Sequence, residues 1–242
     1  MSSPAEPVEL VGTAGLLWVA KEGTEDLAFT EEQRKRFQAC LDSARKKGFQ
    51  PRYIHISNSA ATALREGARF NLVRPGLMLY GLYPSPAIRD LISLRPVLRW
   101  KTAILSLKRV PAGDPVSYGR THSCEKESLI ATLPIGYADG YSRRLSNQGE
   151  VLVRGRRARI AGVVCMDLTM ADVSEIPGVQ AGDEVVLLGK QGAEEIGAAE
   201  MAGWLETIPY EVLCAVGQRV PRVYHSAAGP HQKRVPKLPK VS

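Results

Sequence analysis

The stretch ESLIATLPIGYADGY, residues 127–141, decides how the second half of this chain is read. Its first part is aliphatic and β-branched, and Pro134 followed by Ala-Asp-Gly ends it. That pattern is a strand delivering Tyr137 onto a tight turn. A tyrosine placed there is either a packed ring at a strand end or a group positioned for chemistry. The residues around it have to choose.

Working outward, VLRWKTAILSLKRV (97–110), EVLVRG (150–155), ARIAGVVCMDLTMADV (158–173) and DEVVLLGK (183–190) have the same texture, parted by Gly, Pro and Asp turns. They predict a mostly antiparallel β domain over 96–225. One amphipathic helix near 198–206 precedes IPYEVLCAVGQRVPRVY (208–224). RGRRAR (154–159), between VLV and IAGVV, reads as the solvated tip of a hairpin.

The upstream part reads differently. TEEQ, with Thr30 as N-cap and Gln33 three residues on, predicts a helix start. Phe37, Cys40, Leu41 and Ala44 recur at helical spacing, Lys46 and Lys47 suit the negative helix end, and Gly48 supplies the stop. YIHIS (53–57) reads as a strand, SAATALREG (59–67) as a short helix, and FNLVRPGLMLYGL (70–82) as another strand. Helix, strand, helix, strand over 29–95 is the βα alternation of a parallel sheet. Residues 1–28 read as an atypical N-terminal segment, and 226–242 as a disordered, basic, Pro-containing tail.

Bulk properties narrow the class. With 44% hydrophobic and 24% charged residues in 242, the chain is globular rather than disordered. No run reaches the roughly 20 apolar residues of a bilayer span, and the N-terminus lacks a basic region ahead of an apolar one. The four cysteines are scattered, with no CxxC pair. That argues against a metal site or a disulfide framework and fits a reducing cytoplasm. The net charge of +7 is mostly dispersed, no aromatic residues interleave with a basic stripe, and no nucleic-acid partner is expected.

Two strand ends carry the other chemistry-bearing residues, HISNSAA (55–61) and NLVRPGLMLYG (71–81). Ser59 offers a hydroxyl, and the backbone at Gly76 allows close approach because no Cβ intervenes. Two readings stay open: anion capture, or a helix cap at Ser59 and a plain turn at Gly76.

Taken in order, HISNSAA, NLVRPGLMLYG, VSYG (116–119), LPIGYADGY (133–141), GVVCMD (162–167) and IPYEVLC…RVPR resemble the successive motifs of alanine racemase. The resemblance covers about 29–225 and fades before about Glu25. It implies an α/β plus β architecture, the last βα units of a (β/α)8 barrel followed by a β domain. It also implies pyridoxal 5'-phosphate as cofactor, and interconversion of L- and D-alanine for the peptidoglycan precursor pool. By motif, Ser59, the backbone at Gly76 and Leu77, and Tyr210 would hold the cofactor phosphate. Arg74 would face the pyridine nitrogen with His55 behind it, Tyr137 would be one of two acid/base groups, and Met166 would help recognise substrate. In the family the last two act across a homodimer interface. Tyr118 is expected to be structural.

Racemisation removes a proton on one face of the substrate and returns it on the other, which calls for two groups. A guanidinium donates to the pyridine nitrogen without protonating it. The related barrel-type decarboxylases place an acid there, so Arg74 disfavours them.

The sequence also departs from the family. Its cofactor lysine lies in a Lys-Ala-Asn-Ala-Tyr-Gly type motif with no counterpart here, and Trp18 stands near the position of a family histidine. Spacing leaves at most about three of eight barrel strands, and an unclosed barrel exposes its edges. The expectation is a C-terminal portion of an alanine racemase, its start foreign or frame-shifted, inactive alone. The alternative is a non-catalytic cofactor-binding or dimerisation module acting with a full-length racemase chain.

Overall fold

The computed structural model describes residues 27–64, 67, 69–226 and 229–231. The expected atypical segment up to residue 26, Trp18 included, and the tail from 232 onward lie outside them. The chain divides into two compact units, with the boundary in sequence between Leu98 and Arg99.

The first unit opens with α1 (Leu27–Lys46). No glycine or proline interrupts 27–47, and Glu31–Arg34 and Glu32–Arg36 pair on its surface. The expected N-cap at Thr30 is corrected. The helix already runs from Leu27, because Leu-Ala-Phe ahead of Thr30 is as compatible with helix as the residues after it. Its end agrees with expectation. Gly48 sits at φ +89° and donates to Arg45 O, while Phe49 donates to Ala44 O, the paired bonds of a Schellman stop. On the apolar face Leu41 is buried, whereas Cys40 is exposed. Phe37 meets Phe70 edge-on at 5.3 Å over buried Ile56.

Two expected strands of this unit do not form as ladders. Residues 53–57 and 71–74 run side by side in the parallel sense, Asn71 donating to Ile54 O (3.3 Å) and Arg74 to Ser57 O (2.9 Å). The Asn71 side chain intervenes: Ile54 N–H donates to its Oδ1 and its Nδ2 donates to Arg52 O. An amide side chain thus takes groups a ladder would use. The short helix α2 (Ser59–Leu64) follows the first segment as expected, whereas α3 (Gly76–Leu79) stands inside the stretch 70–82 expected to be a strand, the chain turning into helix straight after Pro75.

The second unit is built on β1 (Trp100–Ala103), β2 (Ser106–Val110), β3 (Pro115–Val116), β4 (His122–Ser123), β5 (Ser128–Leu133), β6 (Glu150–Val153), β7 (Arg156–Ile160), β8 (Thr169–Asp172), β9 (Glu184–Gln191) and β10 (Glu194–Ile196). Helices α4 (Ala198–Leu205) and α5 (Pro209–Ala215) come next, then the pair β11 (Tyr224–Ser226) and β12 (Gly229–His231). The large sheet has the order β1-β9-β6-β7-β8-β5-β2, with β10 on β9, and its pairings are antiparallel.

That order forces the sheet to roll. Laid flat, seven strands spaced about 4.8 Å apart would put β1 and β2 roughly 29 Å from one another. Only Ile104 and Leu105 separate them in the chain, a step of about 10 Å at most. The covalent run from Trp100 to Val110 therefore brings the two edges of the sheet together. Val151, Leu152 and Val153 of β6 and Val185 to Leu188 of β9 are buried without alternation, so both sheet faces are covered there. On α4, Ala198, Met201 and Ala202 share one buried face at helical spacing.

The hairpin expected at RGRRAR is present. Arg154 and Gly155, at φ +50° and +74°, join β6 to β7. Its arginines are spoken for: Arg154 donates to Gly178 O, Arg156 to Glu175 O, and Arg157 pairs with Glu150, Glu194 and Glu200. Those acceptors pull Arg157 further above its already high range, which describes a knot joining β6, β7, β10 and α4. β12, within the tail expected to be disordered from 226, pairs with β11, of which only Ser226 belongs to that tail.

Candidate active site

The end of β5 carries Tyr137 as expected. After Leu133 the chain enters a 3₁₀ turn, Tyr137–Asp139, whose start is fixed by Gly136 N–H donating to Asp139 Oδ2 at 2.9 Å. The turn is pressed against two other loops. A Cβ at Gly136 would fall 2.2 Å from Cys165 O, and one at Gly140 (φ +100°) 1.9 Å from Ala215 O. Neither position tolerates a side chain.

These close approaches bring Tyr137 beside Met166. Tyr137 N–H donates to Cys165 O and Ala138 N–H to Met166 O, both at 3.0 Å. Both side chains face outward, Tyr137 at 42% and Met166 at 53% of full exposure. Met166 is therefore not core filler in this chain. Below it Thr169, fully buried, donates to Ile135 O at 2.7 Å and ties β8 to the strand end.

Two residues outside the expected set hold this arrangement. Arg219 Nε donates to Asp139 Oδ1 at 2.6 Å, and its Nη2 donates to Asp167 Oδ1 at 2.5 Å. Burial alone pushes the Asp139 carboxyl up, but the Arg219 guanidinium and the Gly136 N–H outweigh it and hold it below the ordinary aspartate range. Gly217 N–H donates to Asp139 O at 2.7 Å. Arg222 then donates to the carbonyls of Val216, Gly217 and Val220, fixing the loop that carries Arg219. The two arginines of QRVPR were the available signal, but nothing near them in sequence names their acceptors.

VSYG adds a strained neighbour. Ser117 sits at φ +67°, donates to Val163 O at 2.7 Å, and has its Oγ 3.6 Å from Cys165 Sγ. Tyr118 beside it is 70% exposed. Tyr210 lies in the first turn of α5 behind Pro209, half-exposed, and burial raises its hydroxyl pKa.

In the first unit the structure brings His55 and Arg74 together: Arg74 Nη1 lies 2.5 Å from His55 Nδ1. A guanidinium has no lone pair to offer, so His55 accepts and carries any ring proton on Nε2. Asn58 is the cap of α2, its Oδ1 accepting from Ala61 N–H at 3.0 Å. Ser59 is thus freed from the capping role left open for it. It is buried, and its Oγ accepts from Met78 N–H of α3 at 3.4 Å. Gly76 N–H is spent on Arg74 O at 2.9 Å, and the space where its Cβ would stand is open. Leu77 is buried, so it offers backbone rather than side chain. Among the described residues no group of three or more His, Cys, Asp or Glu is placed to hold a metal ion, and no helix is long and apolar enough to cross a membrane.

Comparison with known proteins identifies the family. The family "Alanine racemase, C-terminal domain" matches residues 97–224, and "Alanine racemase, N-terminal domain" matches residues 4–84. The second match starts well upstream of Glu25, where the resemblance was expected to fade. Alanine racemase of Halothermothrix orenii is 50% identical over 210 residues, covering 87% of this chain and 55% of the relative. That of Geobacter sulfurreducens is 49% identical over 197 residues, covering 81% and 52%. Among solved structures, alanine racemase from Bacillus anthracis with bound L-Ala-P superposes with a TM-score of 0.79 at 39% identity, covering 85% of this chain and 53% of that one. The Clostridium difficile alanine racemase complex with cycloserine gives 0.79 at 35% identity, covering 89% and 55%. The chain spans about half the length of the curated relatives it matches. Its fold class, the end of a barrel-type α/β domain followed by a mostly antiparallel β domain, is that of these structures. The chain belongs to the alanine racemase family.

Proposed function

We propose that this chain takes part in the interconversion of L- and D-alanine with pyridoxal 5'-phosphate. The first unit would supply contacts to the cofactor and the second an acid/base tyrosine. The single observation that carries this reading is the lock between Tyr137 and Met166. Two outward-facing side chains of a resembled site are held side by side by paired backbone bonds and a shared arginine.

The residues present suit the non-covalent half of the cofactor site. Ser59 Oγ accepts from Met78 and keeps its own proton to give to an anion. His55 takes one guanidinium donor of Arg74, which leaves others for a ring nitrogen. Gly76 would contribute the open approach over its α-carbon rather than its N–H, with Leu77 next in the same turn. Tyr210 would add a phenolic donor. When bound, the cofactor supplies the electron sink that makes an amino-acid Cα proton removable.

The chain's own part would then be positional. Arg74, always a donor, would leave the pyridine nitrogen unprotonated. Met166 would border the amino-acid substrate. Tyr137 would hold or move the proton on one face of the substrate Cα, and a second group is needed on the other. The family's lysine motif is absent from these 242 residues, so that group would come from outside them. Alone, the chain should turn over little alanine.

A homodimer, or a pair with a lysine-bearing racemase chain, would complete the site. The exposure of Tyr118, Tyr137, Met166 and Leu168 around Cys165 favours such a partner surface and also supports the second reading, a non-catalytic dimerisation module. The test is incubation of the purified protein with pyridoxal phosphate and L-alanine, with and without a lysine-bearing chain, while D-alanine is monitored. Turnover only with the partner, lost in Tyr137→Phe, supports catalysis. Pairing without any dependence on Tyr137 supports the module instead. The cellular setting proposed is the cytoplasm, consistent with four unpaired cysteines.

A further inference from the structure

We propose that Arg219 is a positioning residue that holds Tyr137 and Met166 in one fixed relation, so that the two move as a single body. Its functional consequence rests on the reading above; the geometry does not.

A guanidinium on a protein surface usually contributes little. Three features separate Arg219 from that ordinary case. Its two partners, Asp139 and Asp167, belong to different loops, one carrying Tyr137 and the other Met166. Asp139 is not free to swing, since its second oxygen accepts from Gly136 N–H and its carbonyl accepts from Gly217 N–H. Arg219 is itself anchored, because Arg222 saturates the carbonyls of the surrounding loop. One planar, always-charged group thus spans a gap that two carboxylates would otherwise open by repulsion. A lysine ammonium could neutralise the pair but could not fix both oxygens in one plane.

The test uses the full chain without cofactor or substrate. Amide hydrogen exchange is measured at Tyr137 and Ala138, with the paired strands β6 and β9 as internal reference. The methyl resonance of Met166 is tracked by NMR against that of buried Met201. In Arg219→Met, exchange at Tyr137 and Ala138 should quicken about tenfold or more while the reference amides hold. The Met166 signal should broaden or shift while Met201 stays. Arg219→Lys should recover part of the protection.

Asp167→Asn is the milder second variant, and it should disturb Met166 without unfolding the turn. Unchanged exchange in Arg219→Met, or an unmoved Met166 signal in both variants, removes the proposed role. Equal disturbance of the reference strands also removes it, because the effect would then be global. A finding that no alanine is racemised even with a lysine-bearing partner chain would sink the functional reading alone and leave these data standing.

Discussion

His55 Nδ1 lies 2.5 Å from Arg74 Nη1, and only the histidine can accept. The pair fixes one edge of the guanidinium and leaves the remainder to face a ligand. His55→Ala should therefore misplace Arg74 rather than remove it. The expected effect is pyridoxal phosphate binding weakened about tenfold, or about 1.4 kcal/mol, close to the lower end of the roughly 1.5–3 kcal/mol of a hydrogen bond to a charged group. A fluorescence titration of the two proteins checks it; equal affinities would show that Arg74 needs no such support.

The turn bearing Tyr137 should respond to acid. Asp139 is held below the ordinary aspartate range of about 3.9. A lowered folded-state pKa means a contribution fully present above the unfolded value and lost as pH falls through the folded one. Amide exchange at Ala138, corrected for intrinsic pH dependence, should thus be steady from neutrality to about pH 4 and rise below it. Asp139→Asn should show fast exchange throughout and no such rise.

Tyr141, the second tyrosine of GYADGY, is fully buried, and its hydroxyl has no hydrogen-bond partner among the described residues. Burial drives its pKa far up, so the proton stays on. It packs edge-on against Trp100 at 5.9 Å, whose Nε1 is likewise unpaired. Tyr141→Phe should be neutral or stabilising by up to about 1 kcal/mol in urea unfolding. Clear destabilisation would mean that a buried water serves the hydroxyl.

Much of the fold is legible in the sequence, for identifiable reasons. The Arg154–Gly155 hairpin and the Gly48 stop depend on local chemistry, and both form as expected. Residues 53–57 do not become a ladder strand because Asn71 competes for their backbone. That competition depends on register and cannot be seen in either segment alone. Tyr137 and Met166 announce themselves through motifs. Arg219 does not, because its acceptors stand 80 and 52 residues away. Ser59 shows the intermediate case: its neighbour Asn58 takes the cap, a choice that local pattern leaves open.

Gly140 offers a steric check on the packing of the Tyr137 turn. At φ +100° with Ala215 O 1.9 Å from any Cβ, Gly140→Ala should cost about 3 kcal/mol or more, strain and overlap acting together. Gly113→Ala, at positive φ with open space around it, should cost only about 1 kcal/mol. Thermal unfolding of the two variants separates the effects.

The most direct test of the account is complementation. A lysine-bearing alanine racemase subunit is inactivated by replacing its own turn tyrosine with phenylalanine, then mixed with this chain. If Tyr137 reaches a partner's substrate as an acid/base group, alanine racemisation returns with the wild-type chain and not with Tyr137→Phe. A stable mixed complex that stays inactive, or that recovers equally with either chain, would contradict it.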